Sequence, residues 1–184
     1  MRSRASHAGG SIRHPRKKRR DAGKIEEAIQ RKAEVFSHIM TINFDKHAQA
    51  GKEFLRKVAF ELGDEHDTSR ASRLLRATLH ALRDQSSFKE SMQFLSQLPL
   101  FIKAIYVDGW NPGIHHNHFR HLDDFVMAVQ HAGGFEVSEN PLEMLHDVQS
   151  VIHVMAEYVS EGEMEDFRKT LPEGLRILLE SRTY

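Results

Sequence analysis

The sequence predicts an all-α protein: two tandem four-helix repeats packed as a pseudo-twofold bundle, behind a disordered basic N-terminal tail and one further N-terminal helix. Three observations carry that expectation. Apolar residues recur at i, i+3, i+4 spacing, and no stretch sustains the two-residue alternation of a half-buried strand. Proline, glycine and serine fall where helices start and stop. The whole pattern of stripes and punctuation then occurs twice, the signature of an internal repeat.

The charge distribution separates the tail from the body. Formal net charge is zero, but residues 1–39 carry 11 bases against 4 acids and residues 40–184 carry 15 against 22. Residues 1–20 hold eight Arg or Lys, no acid and one large aliphatic, Ile12. Such a segment buries too little apolar area to offset backbone ordering, so it is expected to be disordered. Its run Arg16, Lys17, Lys18, Arg19 and Arg20 suits weak, salt-sensitive contact with nucleic acid. Residues 21–45 are expected to hold a helix and a linker. Ile25, Ala28, Ile29, Val35, Phe36 and Ile39 keep a helical stripe, interrupted at Lys32, behind an Asp21 cap. Met40 is an alternative start of translation to Met1, one that would leave this helix out.

The first repeat occupies residues 46–112 and the second 113–184. At an offset of 71, Phe54 pairs with Phe125, Val58 with Val129 and Gly63 with Gly134. Two residues then enter the second copy. From there the offset is 73, pairing His80 with His153, Ser87 with Ser160, Glu90 with Glu163, Phe94 with Phe167, and Leu98-Pro99 with Leu171-Pro172.

Within each copy the first helix is expected to end at a glycine able to take the left-handed conformation, Gly63 or Gly134. The second carries the clearest stripe, Ala71, Leu74, Leu75, Thr78, Leu79 and Leu82. Its partner starts at Asn140-Pro141, a cap followed by a helix-opening proline. The third helix opens with Ser87 and Glu90, or Ser160 and Glu163, each spaced as a capping box. The fourth opens at Pro99 or Pro172, with proline expected at the first helical position. A unit of this size is marginal alone, so the two copies are expected to share one core.

Composition excludes several chemistries. The chain has no cysteine, which removes disulfides, thiolate metal sites and cysteine nucleophiles. No apolar run approaches the roughly 18–20 residues of a membrane span, so no membrane contact is expected. No phosphate loop, nucleophile elbow or HExxH motif is present.

The densest ligand-capable cluster is His115, His116, His118 and His121, followed by Asp123 and Asp124. Imidazole and carboxylate suit zinc, copper or nickel. A helix begun by His118 would put His118 and His121 on one face. The four follow the flexible Asn111-Pro112-Gly113 turn, so they are candidates only; no metal and no cofactor is expected. His80 and His153 lie at the stripe's edge, as structural histidines able to bond a carbonyl. Tyr106, Asp108 and Trp110, an aromatic and acidic cluster between the copies, are the candidate partner-binding residues.

A family resemblance rests on an ordered set of short stretches. These are Phe54-Leu55-Arg56-Lys57-Val58-Ala59, Leu79-His80-Ala81-Leu82-Arg83-Asp84, Gln97-Leu98-Pro99, Tyr106-Val107-Asp108-Gly109-Trp110 and Tyr158-Val159-Ser160-Glu161-Gly162-Glu163. In these, from about Phe44 to Leu179, the body resembles domain of unknown function 2267. The resemblance implies a helical, duplicated bacterial protein, and brings no activity, ligand or catalytic residue with it. The histidine-rich stretch after Gly113 departs from that family's pattern.

The expected function is therefore a non-enzymatic, cytoplasmic module that binds a protein partner or itself in a regulatory setting. The alternative is a metal- or small-molecule-binding protein, enzymes included, using the linker histidines with Asp123 or Asp124. A further alternative is nonspecific nucleic-acid binding through the tail.

Overall fold

A computed structural model describes residues 24–33, 42–112, 118–136 and 141–180. Those residues form helices and no strand. The basic run Arg16–Arg20 lies outside them. The chain divides into two units, 1–43 and 44–184. In the first, residues 24–33 form a helix, α1, whose Ile25 and Ile29 are exposed.

The second unit holds the two copies in series. The first comprises α2 (Phe44–Glu61), α3 (Thr68–Gln85), α4 (Phe88–Gln97) and α5 (Leu100–Val107). The second comprises α6 (Leu122–Ala132), α7 (Pro141–Ala156), α8 (Glu161–Thr170) and a 3-10 helix, η1 (Glu173–Leu179).

Local geometry repeats with the sequence. Gly63 and Gly134 have φ of 84° and 62°, where only glycine sits without strain. The backbone bonds around them superpose. Leu62 N donates to Val58 O, Gly63 N to Phe60 O and Asp64 N to Ala59 O; their images are Gly133 N to Val129 O, Gly134 N to His131 O and Phe135 N to Gln130 O. These paired bonds close a Schellman-type end on α2 and α6.

The helices depart from expectation at three points. Pro99 and Pro172 stand at the cap position, one residue before the first helical residue, with ψ of 149° and 146°. The closing element of the second copy is 3-10 rather than α. The third correction concerns the capping boxes. Ser87 and Glu90 form theirs in full, with Ser87 Oγ accepting from Glu90 N at 3.3 Å and Ser87 N donating to Glu90 Oε2 at 2.8 Å. Ser160 makes no side-chain cap bond. Its N–H, the group Glu163 would have to reach, is taken by Gln97 Oε1 of α4 at 2.7 Å. The two serines are therefore not equivalent. Ser87→Ala should cost about 0.5–2 kcal/mol, the usual loss of an N-cap, and Ser160→Ala a few tenths. Equal shifts of the two urea midpoints would contradict this assignment.

The copies are related by a pseudo-twofold axis, and the core shows it. Helix α2 packs on α7, and its image α6 packs on α3. Helices α3 and α7, which are images of each other, also touch, as do α4 and α8. Only elements beside a twofold axis meet their own counterparts. At that axis Phe94 stacks on Phe167, its own image, with centroids 5.0 Å apart and planes 22° from parallel. The buried apolar residues of both copies form a single cluster, from Phe54 in α2 to Leu178 in η1.

Polar contacts tie the same halves together. Arg70 of α3 pairs with the largely buried Asp147 of α7. Arg73 Nη1 donates to the carbonyls of Gly133 and Gly134 at 3.0 and 3.1 Å, placing a cation at the negative end of α6.

Candidate functional site

Two places in the body differ between the copies in ways that packing alone does not require. The first is the junction where α3 turns into α4 beneath the end of α5. A cavity of 440 Å³ opens there, with Arg83, Gln85, Phe88, Glu90, Trp110 and His118 in its walls.

Arg83, 6% exposed, organises this corner. Its Nη1 donates to the carbonyls of Tyr106 and Asp108 at 3.0 and 3.1 Å, and its Nε to Asp84 Oδ1 at 3.0 Å. The guanidinium thus donates to carbonyls at the C-terminal end of α5 while a carboxylate balances its charge. Tyr106 is fully buried beside it, its hydroxyl 3.0 Å from Ser91 Oγ. Burial raises the phenol above its ordinary pKa, which keeps it neutral. Gln85, also 6% exposed, has no protein partner for either atom of its amide. Trp110, half-buried, stacks on Phe88 at 5.7 Å and meets Tyr106 edge-on at 6.1 Å.

The second place is an apolar groove of 250 Å³ over α2, α3 and α5, lined by Ala48, Gly51, Leu55, Leu75, Phe101 and Ile105 among others. Its image in the second copy is closed by the chain itself. Helix α6 starts at Leu122, the counterpart of Gly51, whereas α2 starts at Phe44. Residues 118–121 are therefore not helical, and their backbone runs close against η1 at Gly174. Phe119 packs on the core, edge-on to Phe125 at 5.9 Å. The Arg120 carbonyl passes so near Gly174 that a Cβ there would lie 2.7 Å from its oxygen. Phe101 is the counterpart of Gly174, and it lies against Gly51, whereas Gly174 faces the Arg120–His121 backbone.

The residues singled out from sequence scatter between these places. Tyr106 is core, which corrects its candidacy for partner contact: a side chain with no exposed area offers a partner nothing. Asp108 pairs with Arg76 at 2.5 Å, and both are about half exposed, so the pair adds little stability. Trp110 reaches the cavity. His115 and His116 lie outside the described residues. His118 lines the cavity rim, and His121 is the backbone N-cap of α6. Because α6 begins only at Leu122, the two do not share a helical face. Among the described residues no three side chains of metal-binding type converge.

His80 Nε2 donates to Ile105 O at 2.8 Å, tying α3 to α5. Its burial lowers the pKa from 6.5 and favours the neutral ring. His153, its image, is exposed.

Sequence reading missed Arg83, Gln85 and the Gly51–Phe101 contact. The signal lay in the repeat, but in its mismatches. The identities had marked caps and core.

A duplicated, all-helical body with one shared core is the class this architecture defines. The family model described as Uncharacterized conserved protein (DUF2267) matches residues 51–178, and the chain belongs to that family. No curated protein matches the chain. Among the described residues no helix is long and apolar enough to cross a membrane.

Proposed function

We propose that this is a non-enzymatic protein-interaction module that takes an apolar segment of a partner protein into the groove over α2, α3 and α5. The observation that supports this reading is the open groove of the first copy beside its filled image in the second. The second copy also indicates the occupant's chemistry: an extended stretch with a bulky apolar anchor, like the chain's own Phe119 and Leu122. A regulatory role in a reducing cytoplasm fits a cysteine-free chain with no convergent catalytic group among its described residues.

A peptide copying residues 118–125 supplies the probe. Two apolar anchors at about 1.5–3 kcal/mol each give a Kd on the order of millimolar or tighter. Titration should shift the NMR signals of Ala48, Leu55 and Phe101 saturably, and Leu55→Asp should abolish the effect. No saturable shift, or a shift unchanged by Leu55→Asp, would refute the reading. A dimer that Leu55→Asp dissociates would make a second copy the occupant and replace the foreign partner.

A further inference from the structure

The junction cavity carries an inference independent of the groove. Arg83 and Gln85 in its wall, and Ser91 and Tyr106 in the core nearby, are buried polar residues at positions where the second copy is largely apolar. At the offset of 73, Arg83, Gln85, Ser91 and Tyr106 correspond to Ala156, Tyr158, Met164 and Leu179. The first four are all buried. The second copy has a cavity of 490 Å³ in the same place, lined by Ala156, Val159, Met164 and Leu179 with three charged residues of α8. There, Tyr158 at the position of Gln85 packs its ring on Phe54 at 5.0 Å. At these four positions one backbone thus supports apolar and aromatic side chains in one copy and a buried polar cluster in the other. Burying polar groups costs free energy unless each finds a partner. Arg83, Ser91 and Tyr106 find theirs within the protein, and the Gln85 amide does not.

We propose that the first-copy cavity binds a small, uncharged, planar molecule with an amide-type edge, such as a lactam-containing heterocycle. Gln85 offers one donor and one acceptor side by side, the complement of a cis-amide edge. Phe88 and Trp110 offer aromatic faces at the same cavity for a flat ring. The ligand is uncharged for a reason also on the wall. Arg83 and Asp84 balance each other, and Glu90 is occupied by the Ser87 N–H, so an anion would meet an unbalanced carboxylate. Both Gln85 amide atoms are closed to solvent in this structure. Binding therefore involves a swing of the Gln85 side chain or of the exposed Phe88. The volume of 440 Å³ falls in the range of small-molecule sites.

The chain has one tryptophan, so the indole N–H of Trp110 is a single NMR resonance in the cavity wall. Uracil is the probe, and 1,3-dimethyluracil, which keeps the shape and loses the N–H donors, is the control. Uracil should shift the Trp110 resonance saturably with a Kd on the order of millimolar or tighter, as suits so small a ligand. Dimethyluracil should bind at least tenfold more weakly. Gln85→Met should weaken uracil binding at least tenfold while leaving the helical circular dichroism intact. If that variant does not fold, Gln85→Glu, which keeps the shape and loses the donor, should give the same loss. The proposal is overturned if uracil gives no saturable shift, if both ligands bind alike, or if neither Gln85 variant changes the affinity. It is equally overturned if Gln85→Met stabilises the protein and no uracil binding is seen, since the amide then serves only a buried water.

Discussion

Phe94→Ala is expected to destabilise the protein by about 3–5 kcal/mol, the usual range for emptying a buried phenylalanine site. The ring has no exposed area, and it lies at the axis between the copies. The cavity left behind would face Phe167, which has no freedom to fill it without leaving its own copy's packing. Phe167→Ala should cost a comparable amount. The double variant should lose less than the sum of the two single losses. The first truncation already removes the stack, worth about 0.5–1.5 kcal/mol beyond burial, so the second cannot lose it again. Urea unfolding of the four proteins measures all of this. Strict additivity would show that the two rings stabilise separate halves, and the axial stack would lose its meaning. Small domains have only about 5–15 kcal/mol in total, so the double variant should be at or near the unfolding limit.

Arg83→Ala is the second large effect, expected at about 3 kcal/mol. Alanine is the second copy's own residue at this position, Ala156, so the helix tolerates it. The loss comes from what Arg83 holds. Two carbonyls at the end of α5 lose a charged donor, and Asp84 loses the guanidinium that donates to it. Arg83→Lys should rescue little of it, because one ammonium cannot reach three acceptors that a planar fork meets from two of its nitrogens. A loss below about 1 kcal/mol, the scale of an exposed ion pair, would show that the end of α5 needs no such tether.

The parts of the fold legible in the sequence were those with short-range causes. The left-handed ends at Gly63 and Gly134, the capping box at Ser87 and the stripe from Ala71 to Leu82 each follow from residues within one or two turns. Ser160 shows where that reasoning stops. Its local pattern matches that of Ser87, yet a glutamine 63 residues earlier takes the N–H on which the box depends. The 3-10 form of η1 was likewise beyond reach, since Pro172 opens an α-helix as readily as a 3-10 turn. For the candidate sites the obstacle was one of attention. Histidines and a lone tryptophan draw the eye because their side chains carry chemistry. Arg83 and Gln85 look like an ordinary helix end until set against Ala156 and Tyr158. The groove was hidden differently, because its openness depends on where α2 begins relative to α6.

The crossing of α2 onto α7 and of α6 onto α3 also sets the order in which the molecule can be made. Each crossing joins residues far apart along the chain, so the loop-closure entropy falls due before any interface between copies exists. A ribosome releases the first copy complete, with Phe54 and Phe94 still waiting for Tyr158 and Phe167 to cover them. At about 5–20 residues per second, that exposed state lasts several seconds. The nascent half is then at its stickiest, and a neighbouring nascent half offers the same uncovered face. Pairing between two such halves would build a bundle from two first copies instead of from a first and a second, so the duplicated architecture carries its own route to misassembled dimers.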